Sequence, residues 1–405
     1  MLDLKKKILF AIHYLELGGA EKSLLGLLDS LDFNQVEVDL FVYSHRGELM
    51  AAIPPQVQLL PEIPQYAQIE RPLRSVLTSG YWRIAWARWR ALRQYAAYAR
   101  KRRPKDGTAV FSYISRNVVT VLPDIHPEKE YDLAVSYLMP HDYVLNKVRA
   151  RRKAAWIHTD YSQVDIDAAL ELPVWSGYDR IVSISPEVTR HFLAVFPSLS
   201  ERIVLIPNRV PCAWIRQQAE ALSQEDVGKE MPKAPGRVNL LSVGRFSYAK
   251  NYDNVPDICR RLREGGLDAH WYLIGFGGEE AMIRTRIVEA GMEGFVHILG
   301  KKENPYPYMA ACDIYIQPSR YEGSPMTVLE AKSLGKPVAL TDFPTARSVV
   351  EDGVDGIIVP LDNAACAEGI AALANNESLR QRISANAYPE IEEMKDDPLY
   401  SLYHL

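Results

Sequence analysis

The sequence predicts an α/β protein built as two domains, each around a parallel sheet. Three observations carry that expectation. The chain has 405 residues, which is long for one hydrophobic core and fits two domains of ordinary size better. Residues 312 to 342, C-D-I-Y-I-Q-P-S-R-Y-E-G-S-P-M-T-V-L-E-A-K-S-L-G-K-P-V-A-L-T-D, read as a strand, a loop, a helix and a second strand, which is a β-loop-α-β unit. A charged stretch from Gln217 to Arg237, punctuated by Gly228, Pro232, Pro235 and Gly236, reads as a helix followed by a linker between two halves.

Composition narrows the class. Hydrophobic residues make up 47% and charged residues 24%, the balance of a soluble globular protein, so disorder is excluded. A net charge of −4 says little about partners until its distribution is seen. Cys212, Cys259, Cys312 and Cys366 lack metal or redox spacing and read as reduced, packed thiols, as in the cytoplasm. No apolar run approaches the roughly 20 residues that span a bilayer. Lys5-Lys6-Lys7 before Ile8 to Ile12 mimics a signal peptide, but the run ends at His13 and Glu16. It reads as a first strand instead.

Taken in order, Lys7 to Ile12 forms that strand, and Gly18-Gly19 opens a helix after it. Backbone amides at such a place can receive a phosphate, although a plain tight connection reads equally well. Val36 to Tyr43 and Val57 to Leu60 supply two more strands. Residues 71–105 hold eleven Arg or Lys and no Asp or Glu. Within them Trp82, Ala85, Trp86, Trp89, Leu92 and Ala96 recur at three- and four-residue steps and line one helical stripe. That stripe suits an anionic membrane surface. A nucleic-acid backbone and a core-packed helix with solvated arginines are the other readings.

Strands follow at Asp132 to Leu138, Lys153 to His158, Arg180 to Ser185 and Ile203 to Pro207. His158 sits at the carboxyl end of its strand, where open α/β sheets bind ligands; a lone His is otherwise structural. In the second half, Val238 to Val243 ends at Gly244, and Arg245 and Lys250 follow. A guanidinium and an ammonium there can grip a diphosphate from two sides, or merely be solvated. Ala269 to Ile274 leads into G-F-G-G, a weak phosphate fingerprint. Val296 to Leu299 is the next strand, before the unit at 312 to 342. Within that unit Glu322 and Glu330 lie eight residues apart. Gly323 and Ser324 between them allow close backbone approach, and carboxylates accept paired hydroxyl protons from sugars. The plain alternative is a solvated Glu322 and a helix-surface Glu330.

The setting E-G-S-P…L-E-A…G-K-P-V resembles the signature of the group-one family of retaining nucleotide-sugar glycosyltransferases, and the resemblance extends over nearly the whole chain. It is weakest over residues 60–125 and 362–390. The family implies the GT-B fold, two Rossmann-like domains facing across a cleft. Here that means an acceptor-side domain at 1–215 with a basic insertion near 66–110, and a donor-binding domain at 236–385. A last helix at 386–405 would cross back to the first domain. The implied activity is transfer of a sugar from a nucleoside-diphosphate sugar, UDP-sugar before GDP or ADP, to a hydroxyl of a glycan or lipid-linked acceptor. The implied product is α-linked, and no metal or other cofactor is required.

The same resemblance implies roles. Arg245 and Lys250 bind the diphosphate, Gly18 and Gly19 close over it, and Leu299, Gly300 and Lys301 read the base. Glu330 holds the ribose; Glu322, with Gly323, Ser324, Pro325 and Met326, holds the donor sugar; His158 contacts it. Asp165-Ile166-Asp167 is the one D-x-D triplet, and it lies at a polar helix start rather than at a strand end. The family setting favours the membrane reading of residues 71–105, peripheral on the inner face, with no nucleic acid expected. An epimerase or phosphorylase on the same architecture and a non-catalytic two-lobed sugar-binding protein are the alternatives. The intact residues at 245, 250, 322 and 330 oppose the last of these.

Overall fold

The computed structural model describes residues 5–392 and 399–403. Among these, residues 5–208 with 399–403 form one compact unit and residues 209–392 a second.

The first unit is built on a seven-stranded parallel sheet. Its strands are β1 (Lys6–Ile12), β2 (Val36–Val42), β3 (Gln58–Leu59), β4 (Tyr131–Ser136), β5 (Ala150–Ile157), β6 (Arg180–Ser183) and β7 (Ile203–Leu205). They lie in the order β3-β2-β1-β4-β5-β6-β7. Ile8 pairs with Val38 on one side and Leu133 on the other. A parallel strand with helices on both faces must be apolar on both, and Ile8 to Ile12 are all fully covered. Strand order reverses between β1 and β4, which makes the carboxyl ends of these two the switch point where such sheets bind ligands.

The second unit has six parallel strands: β8 (Arg237–Val243), β9 (Asp268–Ile274), β10 (Val296–Gly300), β11 (Ile314–Gln317), β12 (Val338–Thr341) and β13 (Ile357–Val359). Their order is β10-β9-β8-β11-β12-β13, so its switch point lies between β8 and β11. One face packs Trp271, Leu273, Ile258 and Ile283, and the other Tyr272, Tyr306, Met309 and Val328.

The expected domain boundary is corrected. The division falls after Asn208; the stretch read as a helix and then a linker carries the helix Gln224–Glu230, and a second helix, Cys212–Ala219, runs into its start. Val210, Ile215, Val227 and Met231 enter the second unit's core. These few apolar residues are diluted by charge, so the composition looked like linker while the spacing built one packed face.

The tryptophan stripe is also corrected. The helix Trp82–Arg102 buries Ile84, Ala85, Ala87 and Ala91, so Ala85 lies on the packed side and not with the tryptophans. Trp82, Trp86 and Trp89 are exposed. Of the expected terminal helix, residues 393–398 and 404–405 lie outside the described residues. The helix Glu377–Glu392 belongs to the second unit, and the short helix Tyr400–Tyr403, with Leu399 and Leu402 buried, packs on β4 and β5 of the first.

Candidate functional site

Both loops at the second unit's switch point carry residues singled out by sequence. The loop after β8 bears Arg245 and Lys250, and the loop after β11 bears Glu322. The structure joins two of them directly: Lys250 Nζ lies 2.7 Å from Glu322 Oε1, with both side chains mostly covered. The same oxygen accepts from Gln317 Nε2 at 2.8 Å and Ser319 Oγ at 2.5 Å. Gln317 is fully buried, and its own carbonyl accepts from the Tyr315 and Thr327 hydroxyls. The Glu322 carboxylate is therefore held by a fixed network, and its backbone carbonyl accepts from Thr345 Oγ1 at 2.8 Å. Arg245, by contrast, is exposed.

What shapes the Lys250 loop is a set of close approaches. Gly244 donates to Ile274 O, and Phe246 donates to Phe276 O, both at 2.9 Å. A Cβ on Gly275, at φ +149°, would lie 1.9 Å from Gly244 O, and one on Gly277 would lie 2.2 Å from Phe246 O. The G-F-G-G turn thus has a packing function: its glycines let the two loops touch. A second clamp comes from Arg320. Its guanidinium meets Asp253 through two bonds of 2.9 and 2.7 Å, donates to Tyr248 O, and lies 4.1 Å from the Tyr248 ring centroid. Such a fork is rigid as well as charged, so it ties the Lys250 loop to the Glu322 loop.

Gln317, Ser319, Arg320 and Asp253 escaped the sequence reading. A polar residue in a short strand looks like any solvent-facing strand position. The signal for Arg320, two residues before the singled-out glutamate, lay inside the motif itself.

Gly323 differs from Gly275 and Gly277. Its φ is ordinary, and an added Cβ would meet nothing within 4 Å. Pro325 precedes the helix Met326–Ser333, and Met326 is buried with its amide on Ser324 O at 2.9 Å. Glu330, in that helix, is fully covered, which overturns the helix-surface alternative. It lies beside Tyr306, whose hydroxyl is held far above its ordinary range by burial and then by the Glu330 charge. Leu299 and Gly300 end β10, Gly300 at φ +71° with its carbonyl accepting from Gly275 N, and the Lys301 ammonium lies over the Phe276 ring.

In the first unit, Gly18 precedes the helix Gly19–Asp29 at the carboxyl end of β1. A Cβ on Gly18 would lie 2.0 Å from Glu21 Oε2. Glu21 is buried, its carboxyl is pushed up by desolvation, and it bonds its own amide. The chain thus already places a carboxylate against this turn. His158, after β5, lies with its ring centroid 4.8 Å from that of Tyr137 at a 45° tilt, and its Nε2 is buried with no hydrogen-bond partner among the described residues. Burial pushes its pKa down to about 3, so at neutral pH the ring is uncharged and can only share a hydrogen bond. Asp167 caps the helix Ala168–Ser176 by accepting from Leu170 N and also accepts from the Tyr113 hydroxyl at 2.6 Å. The D-x-D triplet is thereby engaged in holding local structure.

Residues 223–390 match the family described as "Glycosyl transferases group 1". An N,N'-diacetylbacillosaminyl-diphospho-undecaprenol alpha-1,3-N-acetylgalactosaminyltransferase of Campylobacter jejuni is 32% identical over 149 residues, 36% of this chain and 38% of that protein. The amylovoran biosynthesis glycosyltransferase AmsK of Erwinia amylovora is 29% identical over 135 residues, 31% of this chain and 33% of that one. The matched part of the chain thus spans about a third to two fifths of these curated relatives. Among solved structures, Anabaena HepE in complex with UDP and glucose superposes with TM-score 0.63 at 16% identity, covering 98% of this chain and 97% of that one. TarM of S. aureus, in complex with fondaparinux, alpha-GlcNAc-glycerol and UDP, gives TM-score 0.65 at 12% identity, covering 99% and 100%. At such identities the likeness speaks for the fold. The chain therefore has the GT-B fold, and its residues 223–390, which carry Arg245, Lys250, Glu322 and Glu330, belong to the group 1 glycosyl transferases.

Proposed function

We propose that this protein is a glycosyltransferase that moves a sugar from a nucleoside-diphosphate sugar, UDP-sugar first, to a hydroxyl of a glycan or lipid-linked acceptor. The observation that carries the reading is the meeting of Lys250 and Glu322, from two different loops, at one switch point. An ammonium and a carboxylate 2.7 Å apart offer adjacent sites for a phosphate oxygen and a sugar hydroxyl. The leaving group is a nucleoside diphosphate, so the barrier falls chiefly by stabilising its growing negative charge. Lys250, Arg245 and the amides near Ser324 and Pro325 are the proposed source of that stabilisation. Glu322 is proposed to hold donor hydroxyls, with Gly323 leaving room for the ring. Glu330 is proposed to hold the ribose, and Leu299, Gly300 and Lys301 the base. Gly18, Gly19 and His158 are kept as proposed donor contacts of the first unit.

Retention, an α linkage and independence of metal belong to the same proposal, as does a cytoplasmic location. Relatives support the donor and acceptor classes: HepE was crystallised with UDP and glucose, and the Campylobacter enzyme is named for an undecaprenol-diphosphate-linked acceptor. The test is a panel of UDP-, GDP- and ADP-sugars offered to the native chain and to Glu330→Ala, with hydrolysis followed by proton NMR. Slow hydrolysis of one α-linked donor, releasing the α anomer first, persisting in EDTA and lost in Glu330→Ala, is expected. First release of the β anomer would contradict retention. No turnover or binding of any donor would contradict the transferase reading as a whole.

A further inference from the structure

The helix Trp82–Arg102 has two faces of opposite character. Ile84, Ala85, Ala87 and Ala91 are buried beneath it. Arg88 turns inward as well, donating to the Arg71 and Gln68 carbonyls. The outer face carries Trp82, Trp86 and Trp89, which are 67%, 57% and 47% exposed, followed by Leu92 at 37%. These positions fall at steps of four, three and three, so they share one stripe. Folded chains rarely leave three indoles in a row in water, because each forfeits much of its favourable burial.

The cations are arranged around that stripe. Arg90 and Arg93 lay their guanidinium groups 5.8 Å and 4.9 Å from the Trp86 and Trp89 ring centroids. Arg83, Arg100, Lys101, Arg102, Arg103 and Lys105 are exposed nearby, and residues 71–105 contain no acidic residue. At about 1.5 Å per residue the helix presents a rod roughly 30 Å long. A partner must accept indoles into an apolar layer and meet guanidinium groups with negative charge at the same depth. An anionic lipid surface does both: indoles settle at the level of the headgroups, while arginine stems reach up to the phosphates. Duplex nucleic acid answers the charge alone and offers this unbroken indole stripe no apolar layer. A second copy of this chain would oppose like charges.

We propose that the exposed face of Trp82–Arg102 is a membrane-docking surface that lies flat on anionic phospholipid, with Trp82, Trp86 and Trp89 inserted at the headgroup level. The interaction requires neither donor nor acceptor, so it stands or falls apart from the transfer reaction. The full chain is sedimented with phosphatidylcholine vesicles containing about a third phosphatidylserine and, separately, with pure phosphatidylcholine vesicles. Binding to the anionic vesicles with a blue shift of tryptophan emission is expected, weakening as salt is raised from about 0.1 M to 1 M. Trp82→Ala/Trp86→Ala/Trp89→Ala should lower it about tenfold or more with an unchanged melting temperature, since these side chains are exposed. Arg93→Glu/Arg100→Glu, which keeps the indoles, should lower it comparably. The proposal is overturned if the native chain ignores anionic vesicles at about 0.1 M salt, or if the triple variant binds them as the native chain does. Displacement of the vesicles by an RNA oligonucleotide, or self-association abolished by the same substitutions, would overturn it too.

Discussion

Glu322 and Lys250 show how much of one site a pair of side chains can decide. Glu322 Oε1 gathers three donors, of which only Lys250 is charged. Lys250→Ala therefore leaves the carboxylate still held by Gln317 and Ser319. It should cost stability about 2 kcal/mol or less while lowering donor hydrolysis on the order of a hundredfold, as thermal melts and turnover measured side by side would show. Gln317→Leu should cost more stability. It takes the acceptor from the Tyr315 and Thr327 hydroxyls and one donor from Glu322, and a loss of about 2–3 kcal/mol is expected in chemical denaturation. Arg245, Lys250 and Glu322 stood out in the sequence because they follow strand ends, and Glu330 because it lies in the helix of the same motif. Gln317 did not, since nothing in I-Y-I-Q distinguishes a buried amide from one facing water.

Two glycine sites separate packing from access at the level of whole elements. In the turn after β9, a methyl group on Gly275 would collide with Gly244 O; on Gly323, in the loop after β11, it would meet open space. Gly275→Ala should destabilise the protein by about 2 kcal/mol or more and disturb the Lys250 loop. Gly323→Ala should leave stability within about 0.5 kcal/mol and weaken donor binding, if the ring passes over that position. Melting curves together with donor titrations distinguish the two. Strands were the easiest elements to read, because both-face burial in a parallel sheet demands continuous Val, Ile and Leu. The three-residue β13 was missed, as was the helix at 109–118, since such pieces are fixed by tertiary contacts that no local pattern records.

At the scale of the molecule, the first unit collects buried histidines at its sheet's carboxyl edge. Burial lowers His13 to about 4, and His141 and His158 to about 3. For each the unfolded chain takes up a proton first, near its ordinary pKa of about 6.5. Stability from these groups is thus complete above that value and is lost as pH falls toward 3 or 4. Asp142 and Glu171, whose carboxyls are raised by burial, act in the opposite direction as they take up protons on acidification. A fall in melting temperature between pH 6.5 and 5, reduced in a His141→Gln variant, is expected; a flat profile across that interval would contradict it. The two-domain α/β plan was legible from length and from one β-loop-α-β unit. The position of the division was not, because Val210, Ile215, Val227 and Met231 commit the stretch after Asn208 to the second core through contacts far along the chain.

The central claim is that the switch point of the second sheet binds a nucleoside diphosphate through Arg245 and Lys250. Calorimetric titration of UDP into the native chain and into an Arg245→Ala/Lys250→Ala variant tests it most directly. Micromolar binding by the native chain, weakened at least tenfold in a variant that melts as a folded protein, is the predicted result. Equal affinity in both, or no UDP, GDP or ADP binding by the native chain, would contradict it.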